Sequence, residues 1–225
     1  LEINQNINIL NPLSQDLNVM RQSLLFGGLE NIAYNQNRQN SDVKLYEFGK
    51  TYHKVNDNNV ERHHLQVLAS GRVASENWNV NDVKVDFFYL KEYVECVLQR
   101  LGIKKIDKVS IQGYGFSEGL MYTVKKERLV CFGKIDKKLC SAFSVKSDVY
   151  MADFNWDLML ELSKDNKVKY QEISKFPEVR RDLSLLLDKS ISFSDLEKVA
   201  LRVDSKILKS VSLFDVYEGD NLPEG

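Results

Sequence analysis

Hydrophobic positions in the first quarter of the chain recur with the period of a helix. Leu17, Met20, Leu24, Leu25, Leu29, Ile32 and Ala33 fall at intervals of mostly three and four, which makes one apolar stripe. Asn11, Pro12 and Ser14 supply a turn and an N-cap candidate, and Asp16 adds negative charge to the first turn. The pattern therefore predicts one long capped helix running from about Ser14 to Ala33. Gly27 and Gly28 interrupt it. Adjacent glycines each weaken a helix by about 1 kcal/mol relative to alanine, so a bend or the close approach of another backbone is expected there. Ahead of the helix, Ile3, Ile7 and Ile9 alternate with polar residues and predict a short strand over residues 2–10.

Beyond the helix the period changes to two. Residues 43–55 alternate as a strand, the Asn-Asp-Asn-Asn run at 56–59 is a turn signal, and a second strand resumes from His64 to Gly71. These make a long antiparallel hairpin. A polar loop at 77–82 precedes a second helix over 86–101, with Phe87, Leu90, Tyr93, Val94, Val97, Leu98 and Leu101 on its predicted buried face. Short strands are predicted at 109–115, 120–126, 128–133 and 149–154, and short helices at 137–145 and 156–162. The charged run at 164–169 reads as a linker, giving domains at 1–168 and 169–225. Past it the pattern predicts a strand over 182–187, a helix capped by Ser194 to about Val203, and a strand over 208–217.

Composition narrows the class without naming a function. Of 225 residues, 43% are hydrophobic and 28% charged, ordinary values for a soluble folded chain. The net charge of −1 gives no global attraction to nucleic acid or to membranes. No run approaches the roughly 18 apolar residues of a membrane span, so no membrane partner is expected. Cys96, Cys131 and Cys140 lie far apart, which fits reduced, buried thiols in a cytoplasmic protein. The chain begins at Leu1 and is expected to be part of something longer.

Tests for chemistry return little. His63 and His64 are adjacent with no third ligand at metal spacing, and they read as solvated turn residues; His53 has no local partner in sequence. Gly113-Tyr114-Gly115 lacks the lysine of a phosphate loop and the spacing of a dinucleotide site. Glu118 and Asp136 have no supporting context, and no nucleophile stands beside a base. The expectation is a non-catalytic module with no catalytic and no metal-binding residue. Lys175, Arg180 and Arg181 flank Phe176 and Pro177, a basic-aromatic grouping able to touch RNA, although structural ion pairs explain it equally well.

Three segments, in order along the chain, carry a family resemblance. The first is Asn11-Pro12-Leu13-Ser14 with Met20-Arg21, Ser23-Leu24-Leu25, Gly27 and Leu29-Glu30, leading to Leu45-Tyr46-Glu47-Phe48-Gly49-Lys50. The second is Asp86-Phe87-Phe88 with Leu90-Lys91 and Val94-Glu95. The third is Phe176-Pro177 with Arg180-Arg181-Asp182-Leu183-Ser184-Leu185 and, later, Leu213-Phe214-Asp215-Val216-Tyr217-Glu218-Gly219. Together they resemble the C-terminal part of the bacterial phenylalanyl-tRNA synthetase β chain. Phe26 and Gly28 depart from the family, which commonly has Pro and Leu there.

The resemblance implies an α+β fold: a class II aminoacyl-tRNA synthetase-like antiparallel sheet flanked by helices, followed by a partial ferredoxin-like anticodon-binding domain with an unpaired strand edge. Class II enzymes hold ATP with one arginine on the second-motif strand and another in a glycine-rich third motif, because triphosphate needs fixed bidentate cations. Here Leu45 stands at the first arginine place, and the stretch around Gly133-Lys134-Ile135-Asp136 offers no second one. The resemblance thus implies a synthetase-like core without its ATP site, in a ligase whose ATP and magnesium are used on the α subunit. Implied partners are that α subunit, in an (αβ)2 heterotetramer, and tRNA(Phe). Subunit-interface candidates are Asn11, Pro12, Met20, Arg21, Leu24, Gly27, Gly28 and Leu29; tRNA-binding candidates are Lys175, Arg180 and Arg181. A free-standing paralogue that binds tRNA or an amino acid, without ligase activity, is the alternative.

Overall fold

Alternating side chains build a six-stranded antiparallel sheet. Its strands are β1 (Val43–Val55), β2 (Asn58–Ser70), β3 (Asp107–Gly113), β4 (Phe116–Val124), β5 (Glu127–Ile135) and β6 (Val149–Asn155), in the spatial order β1-β2-β6-β5-β4-β3. The sheet is thus a hairpin and a three-stranded meander joined by β6, which pairs with β2 on one side and β5 on the other. The β1–β2 turn places Asn56 and Asp57 at positive φ, which these residues tolerate better than most. The computed structural model describes residues 3–166, 170, 172, 174–204 and 206–217. Lys167, Val168, Lys169, Glu218 and Gly219, which entered the linker and family readings, lie outside them.

Helices cover both faces. α2 (Phe87–Arg100) starts at Asp86, whose carboxylate accepts from Tyr89 N at 2.7 Å. It buries Leu90, Val94 and Leu98 against Leu65, Tyr122, Val130, Phe132, Ala152 and Phe154. α4 (Trp156–Ser163) shares that face through Met159. Tyr93, expected in the buried stripe, is exposed instead. It lies off the Leu90-Val94-Leu98 line and pairs its hydroxyl with that of Tyr89 at 2.9 Å. On the opposite face α1 (Leu25–Gln36) and α3 (Lys137–Ala142) bury Leu25, Leu29, Ile32 and Cys140 against Val43, Leu68, Ile111, Ile135, Val149 and Met151.

The first helix is shorter than its hydrophobic period suggested. Ser14 precedes only a 3₁₀ turn, Gln15–Leu17, and makes no side-chain cap bond. Residues 19–21 are not helical because their backbone is taken elsewhere. Met20 N bonds Ile7 O at 2.9 Å, and Tyr52 N bonds Arg21 O at 2.9 Å. α1 can begin only after that pairing ends. Its start is fixed by Ser23 Oγ, which accepts from Leu25 N, and by the buried Gln66 amide, which in its satisfied orientation bridges Leu24 O and Leu25 N. The strand expected over residues 2–10 reduces to a 3₁₀ turn, Ile3–Gln5, and one bridge between Asn8 and Val19.

Contacts divide the chain into two units, Leu1–Lys169 and Tyr170–Gly225. In the second, α5 (Phe193–Val203) is the one regular element among the described residues, and its N-cap is Ser192, not Ser194. Neither 182–187 nor 208–217 is a strand. Two isolated segments form no stable ladder without further strands, and Leu183, Leu186, Phe214 and Val216 remain exposed.

Gly27 and Gly28 have opposite roles. A Cβ at Gly27 would meet nothing, whereas one at Gly28 would overlap Leu68 Cδ1 and sit 2.9 Å from the Gln66 side-chain amide. The close approach is that of α1 onto β2. Gly133 is tighter still: its Cβ would strike the backbone at Glu118 O and approach Gly119 Cα to 2.6 Å. Gly27→Ala should therefore raise stability by up to about 1 kcal/mol. Gly133→Ala should lower it by roughly 1–3 kcal/mol, since backbone cannot yield as a side chain does. Urea unfolding of the two variants beside the parent checks both signs.

Candidate functional site

The two places where a nucleotide-binding arginine was sought lie in one transverse row of the sheet. Strand register runs Leu45–Leu68 across β1 and β2, then Met151 on β6, Gly133 on β5, Gly119 on β4 and Ile111 on β3. Every member is apolar or glycine. Leu68, Met151 and Ile111 are buried, and Leu45 is half-buried against the same cluster. α1 lies over this row, with Gly28 on Leu68 and with Leu25, Leu29 and Ile32 filling the space above the sheet. Lys134, next to Gly133, points its ammonium to Asp148 at 2.8 Å, which raises its pKa. Chemically this face is a packed interior.

The same face becomes polar toward the β1–β2 turn. Arg21 lies over Gly49, where a Cβ would come within 2.7 Å of its Nη2. Its Nη1 donates to Glu47 Oε1 at 2.8 Å and its Nε to Lys50 O at 2.9 Å. Beside it His64, buried in the middle of β2, has Nδ1 2.8 Å from Asp153 Oδ1 and Nε2 3.0 Å from Thr51 Oγ1. Asp153 fixes the proton on Nδ1, so Nε2 accepts from the Thr51 hydroxyl, whose oxygen in turn accepts from His53 Nε2 at 3.1 Å. Arg128 Nη2 stands 3.6 Å from the other Asp153 oxygen. The order hydroxyl–imidazole–carboxylate matches a nucleophilic relay, but Thr51 is only 1% exposed and no substrate can reach it. It ties β1, β2 and β6 together.

These histidines were misread from sequence. They are neither in a turn nor, for His64, solvated, and His53 is partnered. The signal was available: on a strand with period two, His64 shares its face with Gln66 and Leu68. His63, on the other face, is half exposed; its amide donates to Asp157 Oδ2 at 2.9 Å and its ring Nδ1 lies 2.8 Å from Asp157 Oδ1. Burial pushes the Asp157 carboxyl up, but these His63 bonds outweigh it and hold the group below the usual carboxylate range. Among the described residues no cluster of His, Cys, Asp and Glu is arranged to hold a metal ion. Cys131 and Cys140 are buried, and burial pushes the Cys131 thiol up to about 11. Cys96 is exposed, contrary to expectation, because it sits off the buried line of α2.

The interface candidates separate into two groups. Leu24, Gly28 and Leu29 are buried inside this chain, so they are not partner-facing: the apolar stripe of α1 is used up on its own sheet. Gly27 and Arg21 are exposed and Met20 half-buried. Asn11 and Pro12 lie on a loop projecting from the Asn8–Val19 bridge, and that loop holds out Leu10 (94% exposed), Leu13 (98%) and Leu17. In the second unit Lys175, Arg180 and Arg181 are exposed; Arg180 bonds Asp182 at 3.2 Å and lies 5.5 Å over the Phe214 ring.

Known proteins give this geometry a context. A pyrrolysyl-tRNA synthetase from Desulfitobacterium hafniense superposes with a TM-score of 0.53 over 70% of this chain and 53% of its own, at 14% identity, which is a likeness of fold. Residues 174–225 match the ferredoxin-fold anticodon binding domain family. The phenylalanine–tRNA ligase beta subunit of Bacteroides fragilis is 46% identical over 96% of this chain, and that of Bacteroides thetaiotaomicron 44% identical over 99%. The chain spans 28% of the length of each. Residues 2–156 match the model of the phenylalanyl-tRNA synthetase beta chain CLM domain, and the chain belongs to that family.

Proposed function

We propose that the chain serves phenylalanine–tRNA ligase as an assembly and tRNA-supporting part of the β subunit, while ATP-dependent aminoacylation occurs on an α subunit in the cytoplasm. One observation carries this reading: the apolar row Leu45–Leu68–Met151–Gly133 under α1, where a nucleotide-binding core would need cations. Phosphate has no partner on that row, and water-excluding packing replaces a cleft. ATP and magnesium are then required by the whole enzyme and held by the α subunit.

Assembly into an (αβ)2 heterotetramer is assigned to the projecting loop with Asn11 and Pro12 and not to the buried face of α1. Three leucines held out on a nearly uncharged loop suit an apolar protein surface better than phosphate. The beta-subunit name of the relatives supports a protein partner. Contact with tRNA(Phe) is assigned to the second unit, through Lys175, Arg180 and Arg181, in keeping with its match to an anticodon-binding family. No helix among the described residues is long and apolar enough to cross a membrane.

Three outcomes follow. The full-length β chain alone should show no phenylalanine-dependent ATP–pyrophosphate exchange, and exchange should appear on adding α; activity of β alone contradicts the reading. Leu13→Asp should weaken co-elution with α at least tenfold while leaving the unfolding midpoint unchanged, whereas Leu29→Ala should cost about 2–5 kcal/mol of stability. Arg181→Ala in the assembled enzyme should weaken tRNA binding and reduce the log–log salt slope by about 1, measured by filter binding across salt concentrations.

A further inference from the structure

Two pairs of lysines that are far apart in sequence meet at one end of the sheet. β3 starts at Asp107, which pairs with Thr123 near the end of β4. Lys104-Lys105 and Lys125-Lys126 therefore stand two and three residues beyond the same rung, on the chain entering β3 and on the β4–β5 turn. All four are exposed, and among the described residues none of them forms an ion pair. Arg100, Lys108 and Arg128 border them in sequence. Lys108 Nζ is 3.9 Å from Glu95 Oε1 and Arg128 Nη2 is 3.6 Å from Asp153 Oδ2, long contacts between half-exposed groups. Residues 100–108 and 123–128 hold seven basic residues against Asp107 and Glu127, while the whole chain has a net charge of −1. Positive charge is gathered at this end and not spread evenly.

The β4–β5 turn keeps its lysines against a local preference. Val124 pairs with Glu127, so Lys125 and Lys126 form a two-residue turn, and both have positive φ, 50° and 72°. The β1–β2 turn has the same form but holds Asn56 and Asp57, which visit that region readily. Among the described residues these are the two places where adjacent non-glycine residues both have positive φ. Lysine has no side-chain acceptor with which to bond the turn backbone, as Asn and Asp do. An unfavourable conformation kept at an exposed tip points to a use for the two ammonium groups.

We infer that Lys104, Lys105, Lys125 and Lys126 form a contact site for the sugar–phosphate backbone of tRNA on the first unit, in addition to the cations of the second; this rests on the reading of the chain as a tRNA-supporting part of the enzyme. The residue type favours RNA over protein. Lysine is depleted in protein–protein interfaces while arginine and aromatic residues are enriched, and that holds equally for the α subunit and for segments of the β chain outside these 225 residues. A phosphate chain presents charges in series, which suit compact ammonium groups on flexible stems. No aromatic residue falls within 100–108 or 123–128, so bases have no stacking surface there and the contact is independent of base sequence.

Lys125→Asn combined with Lys126→Gly supplies the residues that a turn of this form prefers. In full-length β chain assembled with α, this variant should raise the unfolding midpoint of the β chain, weaken tRNA binding at least fivefold and flatten the log–log salt slope by about 1–2. Lys137→Ala combined with Lys138→Ala removes the same charge from the exposed start of α3 and should change tRNA binding less than twofold. Acetic anhydride should label Lys104, Lys105, Lys125 and Lys126 in the full-length β chain, with or without α, and tRNA should protect them. Unchanged affinity and slope in the turn variant, beside a parent enzyme that binds tRNA, overturns the site and leaves the tRNA-supporting reading standing. Absence of tRNA binding by the parent enzyme overturns both. Equal losses from the two double variants assign the effect to general electrostatic attraction, and protection of the lysines by α alone or within the free β chain assigns them to a protein segment; either result overturns the inference.

Discussion

The approach of α1 onto β2 is the contact on which the first unit depends. Gly28 lets the helix backbone settle against Leu68, and Gln66 reaches up to the chain at Leu24 and Leu25 where the helix begins. With the helix that close, Leu25, Leu29 and Ile32 fill the space above Leu68 and Met151. Full burial of each is worth about 1.5–3 kcal/mol of transfer free energy. On the proposed reading, the same contact removes the volume a nucleotide would need above that row. Stability and the proposed absence of ATP chemistry thus have one physical origin, since a sheet face cannot be both dry interior and phosphate site.

That packing also redistributes the surface available to partners. An amphipathic helix has one apolar stripe, and here it is turned inward. What stays exposed and apolar in the first unit includes the leucine-bearing loop on the Asn8–Val19 bridge, to which assembly is proposed to fall. Arg21 anchors that loop to the sheet, since it follows the loop and bonds β1 at Lys50 and Tyr52. Gly49 leaves room for its guanidinium on the sheet.

Much of this architecture was legible in the residues. Period-two patterning over 43–55 and the Asn56–Asp57 turn led directly to the hairpin, and Asp86 with its apolar repeat led to α2, because local chemistry decides both. Three readings failed for non-local reasons. The apolar period beginning at Leu17 looked helical, but backbone bonds of Met20 and Arg21 with Ile7 and Tyr52 keep those residues out of the helix. His64 looked solvated because its partners Asp153 and Thr51 are distant in sequence and meet it only across strands. The strands expected at 182–187 and 208–217 had suitable alternation, yet a ladder is a property of several strands together. Leu45 was informative at both levels: apolar where a cation was sought, and packed in the row that α1 covers.

The most direct test observes that row while nucleotide is present. Methyl resonances of Leu45, Leu68 and Met151 in the full-length β chain should be unmoved by millimolar magnesium–ATP, as expected of a packed interior. A saturable shift of those methyls, abolished by a bulky substitution at Gly28, would contradict the proposal that this face has packing in place of an ATP site.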